Sequence, residues 1–162
     1  MKNKNLSFMT QAAMIAAIYV VLTYIFAPFS FGEVQVRISE ALTILPIFTP
    51  AAIPGLFAGC LIGNILGGAI LPDIVFGSIA TLIGAFFTWK LRKQKPVVAT
   101  FPPIISNIII VPFVLRYGYG VTLPIPFMML TVGIGEVISC TVLGLIVYGA
   151  LKKYKSTLFR TA

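Results

Sequence analysis

A chain of 162 residues that is 59% hydrophobic and only 10% charged, with a mean hydropathy of +1.03, lacks the polar skin of a soluble domain, which needs about 25% charged residues. Lipid is the alternative solvent and admits only helices and closed barrels. The apolar runs are continuous and about twice the ~10-residue length of a barrel strand, which selects helices. Histidine is absent and the net charge is +8, so the commonest proton shuttle and metal ligand is missing. There is no GxxxxGK[ST] phosphate loop for ATP either.

At roughly 20 apolar residues per span, these residues fit an all-α, polytopic membrane protein of about six transmembrane helices in one domain, with no room for a soluble catalytic domain. The first span is expected over 6–27, after Lys2 and Lys4. It is too long, and lacks a convincing cleavage site, for a signal peptide. Pro28 ends it, and the loop 29–36 carries Phe31, Gly32 and Glu33. A short second helix is expected over 37–48, with Pro46 near its end, and Thr49-Pro50 turns the chain into a third over 50–68. The fourth is expected over 73–89, followed by Lys90, Arg92, Lys93 and Lys95. The fifth, over 96–115, contains Pro102, Pro103 and Pro112 and is expected to kink, because proline removes a donor and crowds the preceding turn. The sixth is expected over 124–151 and ends at Lys152, Lys153, Lys155 and Arg160.

Six crossings return both termini to one side. The two termini and the loop after the fourth helix hold all but Arg37 and Arg116 of the twelve Lys and Arg residues. By the positive-inside rule, both termini of this multi-pass cell-membrane protein are expected in the cytoplasm. The charge is a topology signal first, and evidence of contact with the anionic lipid bilayer second. Nucleic-acid binding needs a solvated basic face with base-reading groups, and none is evident. Cys60 and Cys140 sit singly in apolar runs and read as small buried residues.

All four acidic residues, Glu33, Glu40, Asp73 and Glu136, fall on the outer side or inside the membrane. Solvation accounts for Glu33 and Asp73, at loop or helix-end positions. A mid-span charge costs about 2.5–3.5 kcal/mol, so Glu40 and Glu136 call for a cavity or a partner. At about 1.5 Å per residue, Glu40 is expected ~5 Å and Glu136 ~18 Å below the outer surface. Asn64 and Asn107 fall between, and Ser39, Thr43, Ser106 and Ser139 are close in sequence. The arrangement reads as an outward-facing pocket closed toward the cytoplasm. Its candidate substrate-binding residues are Glu40, Glu136, Arg37, Asn64, Asn107 and Asp73. Structural alternatives stand beside these roles: Glu40 can pair with Arg37 at i, i+3, and both Asn residues can join helices. Glu136 has no cation within a helical turn and is the clearest functional candidate. No cofactor or metal motif appears, and no metal-ligand or paired-carboxylate constellation stands at usable spacing, so an enzyme is not expected.

Gly55, Gly59, Gly63 and Gly67 make a four-residue ridge on the third helix that suits close packing within the bundle before contact with another subunit. Ala12, Ala13, Ala16 and Ala17 give two overlapping AxxxA registers on the first helix, a smooth strip for docking a partner.

The stretch Val36-Arg37-Ile38-Ser39-Glu40-Ala41-Leu42-Thr43-Ile44-Leu45-Pro46, followed by Phe48-Thr49-Pro50-Ala51-Ala52-Ile53-Pro54-Gly55-Leu56, resembles the QueT family. Gly63-Asn64, Gly67-Gly68, Asp73-Ile74-Val75-Phe76-Gly77-Ser78 and Gly135-Glu136 extend the resemblance over nearly the whole chain. That family comprises substrate-binding (S) components of energy-coupling factor (ECF) transporters. The resemblance implies their six-helix bundle, a queuosine precursor of the 7-deazaguanine type as ligand, and a transmembrane coupling subunit with two ATPases as partners. It also implies that the alanines of the first helix face the coupling subunit, with the register open. The pocket residues rest on depth and polarity, not on the resemblance; Phe31, Phe76 and Tyr117 are candidates to stack on a flat ring. The alternative is a self-sufficient secondary transporter of a small polar or cationic solute with Glu136 as its ion site, although no internal repeat is evident.

Overall fold

The computed structural model describes residues 4–26 and 36–159, and the regular structure among them is entirely helical. Helix α1 runs Lys4–Ile25, α3 Ala52–Leu66 and α4 Leu71–Lys90. Helix α5 runs Pro96–Gly118 and α6 Ile125–Lys152. Between α1 and α3 lies α2, Ile38–Ile47, wound as a 3-10 helix; a single turn, α7, Lys155–Leu158, follows α6. Helices α1, α4, α5 and α6 are long and apolar enough to cross a membrane, while α2 and α3 are shorter. Side chains such as Leu71, Phe87, Leu130 and Ile146 are exposed on the outside of the bundle, as a lipid-solvated surface requires.

The tight winding of α2 is where the fold departs most from an ordinary bundle. At about 2.0 Å per residue a 3-10 helix reaches ~20 Å in ten residues, where an α-helix would reach ~15 Å. The segment thereby crosses the interior with few residues, and eight of them, Ser39 to Pro46, are buried. A threefold period also stacks Arg37, Glu40 and Thr43 on one face, which an α-helix would splay.

The glycine ridge of α3 packs against α1. A Cβ on Gly55 would stand 2.7 Å from the Ala12 carbonyl oxygen, and one on Gly59 would stand 2.7 Å from Tyr19 Cβ and 3.1 Å from Ala16 Cα. The contacts climb both helices together, so α1 and α3 run parallel. Ala12 and Ala16 are therefore turned toward α3, whereas Ala13 and Ala17 are exposed.

Helix α5 passes through all three of its prolines. Pro103 has no N–H for the Ala99 carbonyl, which instead accepts the Thr88 hydroxyl of α4 at 2.8 Å. Gly84 makes room for the contact, since a Cβ there would meet Pro103 Cα at 2.6 Å. The last turn of α5, Val114–Gly118, and the stretch Val137–Leu143 of α6 are π-helical.

These packings gather the start of α1, the α2–α3 turn, the α4–α5 loop and the end of α6 at one end of the bundle. Gln11 and Thr49, hydrogen-bonded at 2.9 Å, tie the first two together. Lys4, Lys90, Arg92, Lys93, Lys95, Lys152, Lys153 and Lys155 belong to this basic end. The start of α2, the α3–α4 turn and the α5–α6 loop form the opposite end.

Candidate functional site

Toward that opposite end, five helices bring their polar residues together. From α2 come Arg37 at its first turn, then Glu40 and Thr43; α3 supplies Asn64 and Cys60; α4 supplies Asp73, Gly77 and Thr81, one per turn. Asn107 projects from α5, and Glu136 and Cys140 from consecutive turns of α6, the latter within the π-helical stretch. All six side chains expected to bind substrate are buried: Arg37 is 5% exposed, Glu40 0%, Asn64 1%, Asp73 2%, Asn107 4% and Glu136 3%. The site is occluded rather than open to one side.

Arg37 pairs with Asp73 across the bundle, Nη2 to Oδ2 at 3.4 Å. Solvation thus does not account for Asp73. Its Oδ2 also accepts the Tyr119 hydroxyl at 3.0 Å, and that hydroxyl in turn accepts the Ile70 N–H at 3.4 Å. Tyr119 lies in the α5–α6 loop, at the rim. Partial burial first, and then the Asp73 charge, raise its phenol above the ordinary value, so it remains a donor. Asn64 donates to the Asp73 carbonyl oxygen at 3.3 Å and ties α3 to the start of α4.

Deeper in, Glu40 Oε1 accepts the Tyr19 hydroxyl at 2.5 Å and the Thr81 hydroxyl at 3.3 Å. Glu136 Oε2 lies 3.2 Å from the Cys140 thiol. Glu40, Glu136 and Cys140 each offer an atom within 4.8 Å of the others. The depths expected from the sequence separated the two carboxylates by more than a helical turn; the structure makes them neighbours. Arg37 is itself buried, so α2 starts inside the bundle and not at the outer surface; the 3-10 rise from Arg37 to Glu40 adds only ~1.5 Å to the depth. A paired-carboxylate constellation is therefore present after all, built by tertiary packing across 96 residues of separation between Glu40 and Glu136. Such a trio can hold a cation, either a metal or an ammonium group.

The cluster is not internally satisfied. Glu40 Oε2, Asp73 Oδ1 and Ser139 Oγ are buried without a hydrogen-bond partner, a state that ordinarily costs 1–3 kcal/mol per group and more for charged ones. Of these, Asp73 Oδ1 lies beside Gly77, where a Cβ would stand 3.0 Å from it and 3.3 Å from Asn64 Nδ2.

The aromatic candidates fare differently. Phe31, like Glu33, lies outside the described residues. Phe76 and Tyr117 are 51% and 78% exposed and border an apolar cavity of about 480 Å³ between α4 and α5, where they do not face the charged cluster. The aromatic ring that does reach the cluster is Tyr19, joined by Thr81, Cys140 and, at the rim, Tyr119. Sequence spacing held a partial signal: Asp73, Gly77 and Thr81 recur every four residues on α4, and Cys140 stands one turn beyond Glu136. Tyr19 stood in an apolar helix with nothing to single it out.

A bundle with a lipid-facing exterior that sequesters three carboxylates, a guanidinium and two amides, and leaves carboxylate oxygens unbonded, defines a class: a multi-pass membrane protein with an occluded polar site. The chain belongs to the QueT transporter family, whose sequence model matches residues 9–153. It is 33% identical over 84 residues to the queuosine precursor transporter QueT of Lactococcus lactis subsp. cremoris (strain MG1363). The aligned stretch is 51% of this chain and 48% of that protein, about half the length of the curated relative. No solved structure matches the chain.

Proposed function

We propose that this chain is the membrane-embedded substrate-binding subunit of an ATP-driven ECF uptake transporter, and that it takes a queuosine precursor of the 7-deazaguanine type. The observation that carries the reading is the buried Glu40–Glu136 pair with its unbonded Glu40 Oε2. A guanine-like edge presents an N–H and an NH2 side by side, which one carboxylate accepts together. An aminomethyl substituent is cationic, and a charge-assisted bond to the second carboxylate suits it. Asn64 and Asn107 supply amide donors and acceptors for the remaining ring atoms. The likeness to a relative named as a queuosine precursor transporter supports the ligand class.

The basic end faces the cytoplasm on this reading, with both termini there, and ligand enters from the opposite side past Tyr119. The transmembrane coupling subunit docks on α1. Of the two alanine registers, Ala13 and Ala17 serve this role, because Ala12 and Ala16 are taken up by the seam with α3. The ATPases act through the coupling subunit, and this chain binds its solute without converting it.

Calorimetric titration of the purified chain with 7-aminomethyl-7-deazaguanine, using guanine and thiamine as controls, tests the ligand assignment. Tight binding selective for the first compound is the expected result. A folded sample that binds none of the three would remove the assignment. Robust uptake into liposomes holding this chain alone, without ATP, would instead favour the secondary transporter.

A further inference from the structure

The basic end contains a second site that the ligand reading does not use. A cavity of about 760 Å³ opens there, walled by cations from two separate parts of the chain: Arg92 and Lys93 after α4, and Lys152, Lys153 and Lys155 around the end of α6. Among the described residues no acidic side chain lines it. The chain cannot supply the missing counter-charge from its described acids, because Glu40, Asp73 and Glu136 are all buried in the other cluster.

The floor is the α2–α3 turn, with Phe48 at its centre. Phe48 stacks on Phe159 with ring centroids 5.4 Å apart and on Tyr148 at 5.2 Å, which seats the C-terminal turn and its Lys155 over the cavity. On the facing wall Arg92 lies 4.3 Å from the Trp89 ring and donates to the Trp89 carbonyl oxygen at 2.9 Å. The guanidinium is thus held in place. α4 and α6 both end here, at Lys90 and Lys152, so the cavity sits at headgroup level, where aromatic and basic side chains meet the interface.

We propose that this cavity binds the phosphate headgroup of an anionic phospholipid. The chemistry is that of a phosphate anion among five cations, over an aromatic floor that accepts the glycerol and upper acyl carbons. A free phosphate shares the charge. The lipid is the assigned source because the cavity opens at the level where headgroups are concentrated.

The test compares two double variants that remove the same charge from the same loop. Arg92→Gln/Lys93→Gln strips the cavity wall; Lys90→Gln/Lys95→Gln strips neighbours that do not line it. Each protein is exchanged into phosphatidylcholine nanodiscs with a minority of phosphatidylglycerol, and retained lipid is read by native mass spectrometry. With about tenfold or less lost per surface cation, the cavity variant is expected to retain ten- to a hundredfold less phosphatidylglycerol. The neighbour variant should change by about threefold or less, because its side chains stand outside the cavity. Equal losses in the two variants would overturn the proposal in favour of a diffuse surface attraction. Thermal stabilisation by inorganic phosphate in pure phosphatidylcholine, abolished by the cavity variant, would overturn the lipid as the source. If Arg92→Gln/Lys93→Gln fails to fold, Lys152→Gln/Lys153→Gln strips the opposite wall, and the same comparison holds.

Discussion

At one end of the bundle Arg37, Glu40, Asp73 and Glu136 are withdrawn from solvent among hydroxyl, thiol and amide partners. At the other, Arg92, Lys93, Lys152, Lys153 and Lys155 are exposed around an open cavity, with aromatic rings nearby. The first arrangement is expensive: a charge held in the membrane costs about 2.5–3.5 kcal/mol, and two carboxylates so close also repel. The second is cheap, because exposed cations remain hydrated. A stable bundle needs only the second kind. On the proposed function, the expensive cluster is the ligand site, and its oxygens without protein partners are the groups that take the ligand's donors.

Breaking this contrast should have its largest effect at the carboxylates. Neutralising either Glu40 or Glu136 with glutamine is expected to weaken binding of the 7-deazaguanine by about 10- to 100-fold, the ~1.5–3 kcal/mol of a hydrogen bond to a charged group. The folded bundle should become no less stable, since a buried charge is removed; calorimetry and thermal unfolding read the two effects separately.

A Gly77→Ala change sharpens the contrast further. The added methyl would press on Asp73 Oδ1 and Asn64 Nδ2, so affinity is expected to fall by about tenfold, or ~1.4 kcal/mol. In an ordinary helix the same change stabilises by about 0.8–1.0 kcal/mol. Weaker binding with an unchanged or raised unfolding temperature is the signature.

Tyr19→Phe removes one of the two hydroxyl donors to Glu40. It should cost about 1 kcal/mol of stability, given the modest worth of hydrogen bonds in membranes, and reduce affinity several-fold. The smallest effect belongs to the basic end. Lys152→Gln/Lys153→Gln should leave ligand affinity within about twofold, because Coulomb interaction at such separation across hydrated surface is largely screened.

The helical membrane class and the polar residues that matter could be read in the sequence because both depend on composition and local spacing. Glu40 and Glu136 are conspicuous in apolar runs, and the α3 glycine ridge announces a close neighbour. What could not be read was who meets whom. Arg37 finds Asp73, not only its own helix, and Asp73, placed at a helix start where solvent would explain it, is buried. The depth estimate failed at α2 because it took Arg37 as the outer surface, whereas Arg37 is itself buried against Asp73; where a helix starts within the bundle is a tertiary property. Tyr19 escaped for a related reason: one hydroxyl in an apolar helix acquires meaning only when Glu40 is brought to it from 21 residues away.

The central claim is that the buried carboxylate pair is the ligand site, with one member facing the ligand's cation. It is tested most directly by titrating the wild type, Glu40→Gln and Glu136→Gln with both the 7-aminomethyl and the 7-cyano form of 7-deazaguanine. The wild type should prefer the aminomethyl form, and one of the two variants should bind both forms about equally, which would identify the carboxylate that meets the amine. If both variants kept the full wild-type preference and affinity, the pair would not be the site.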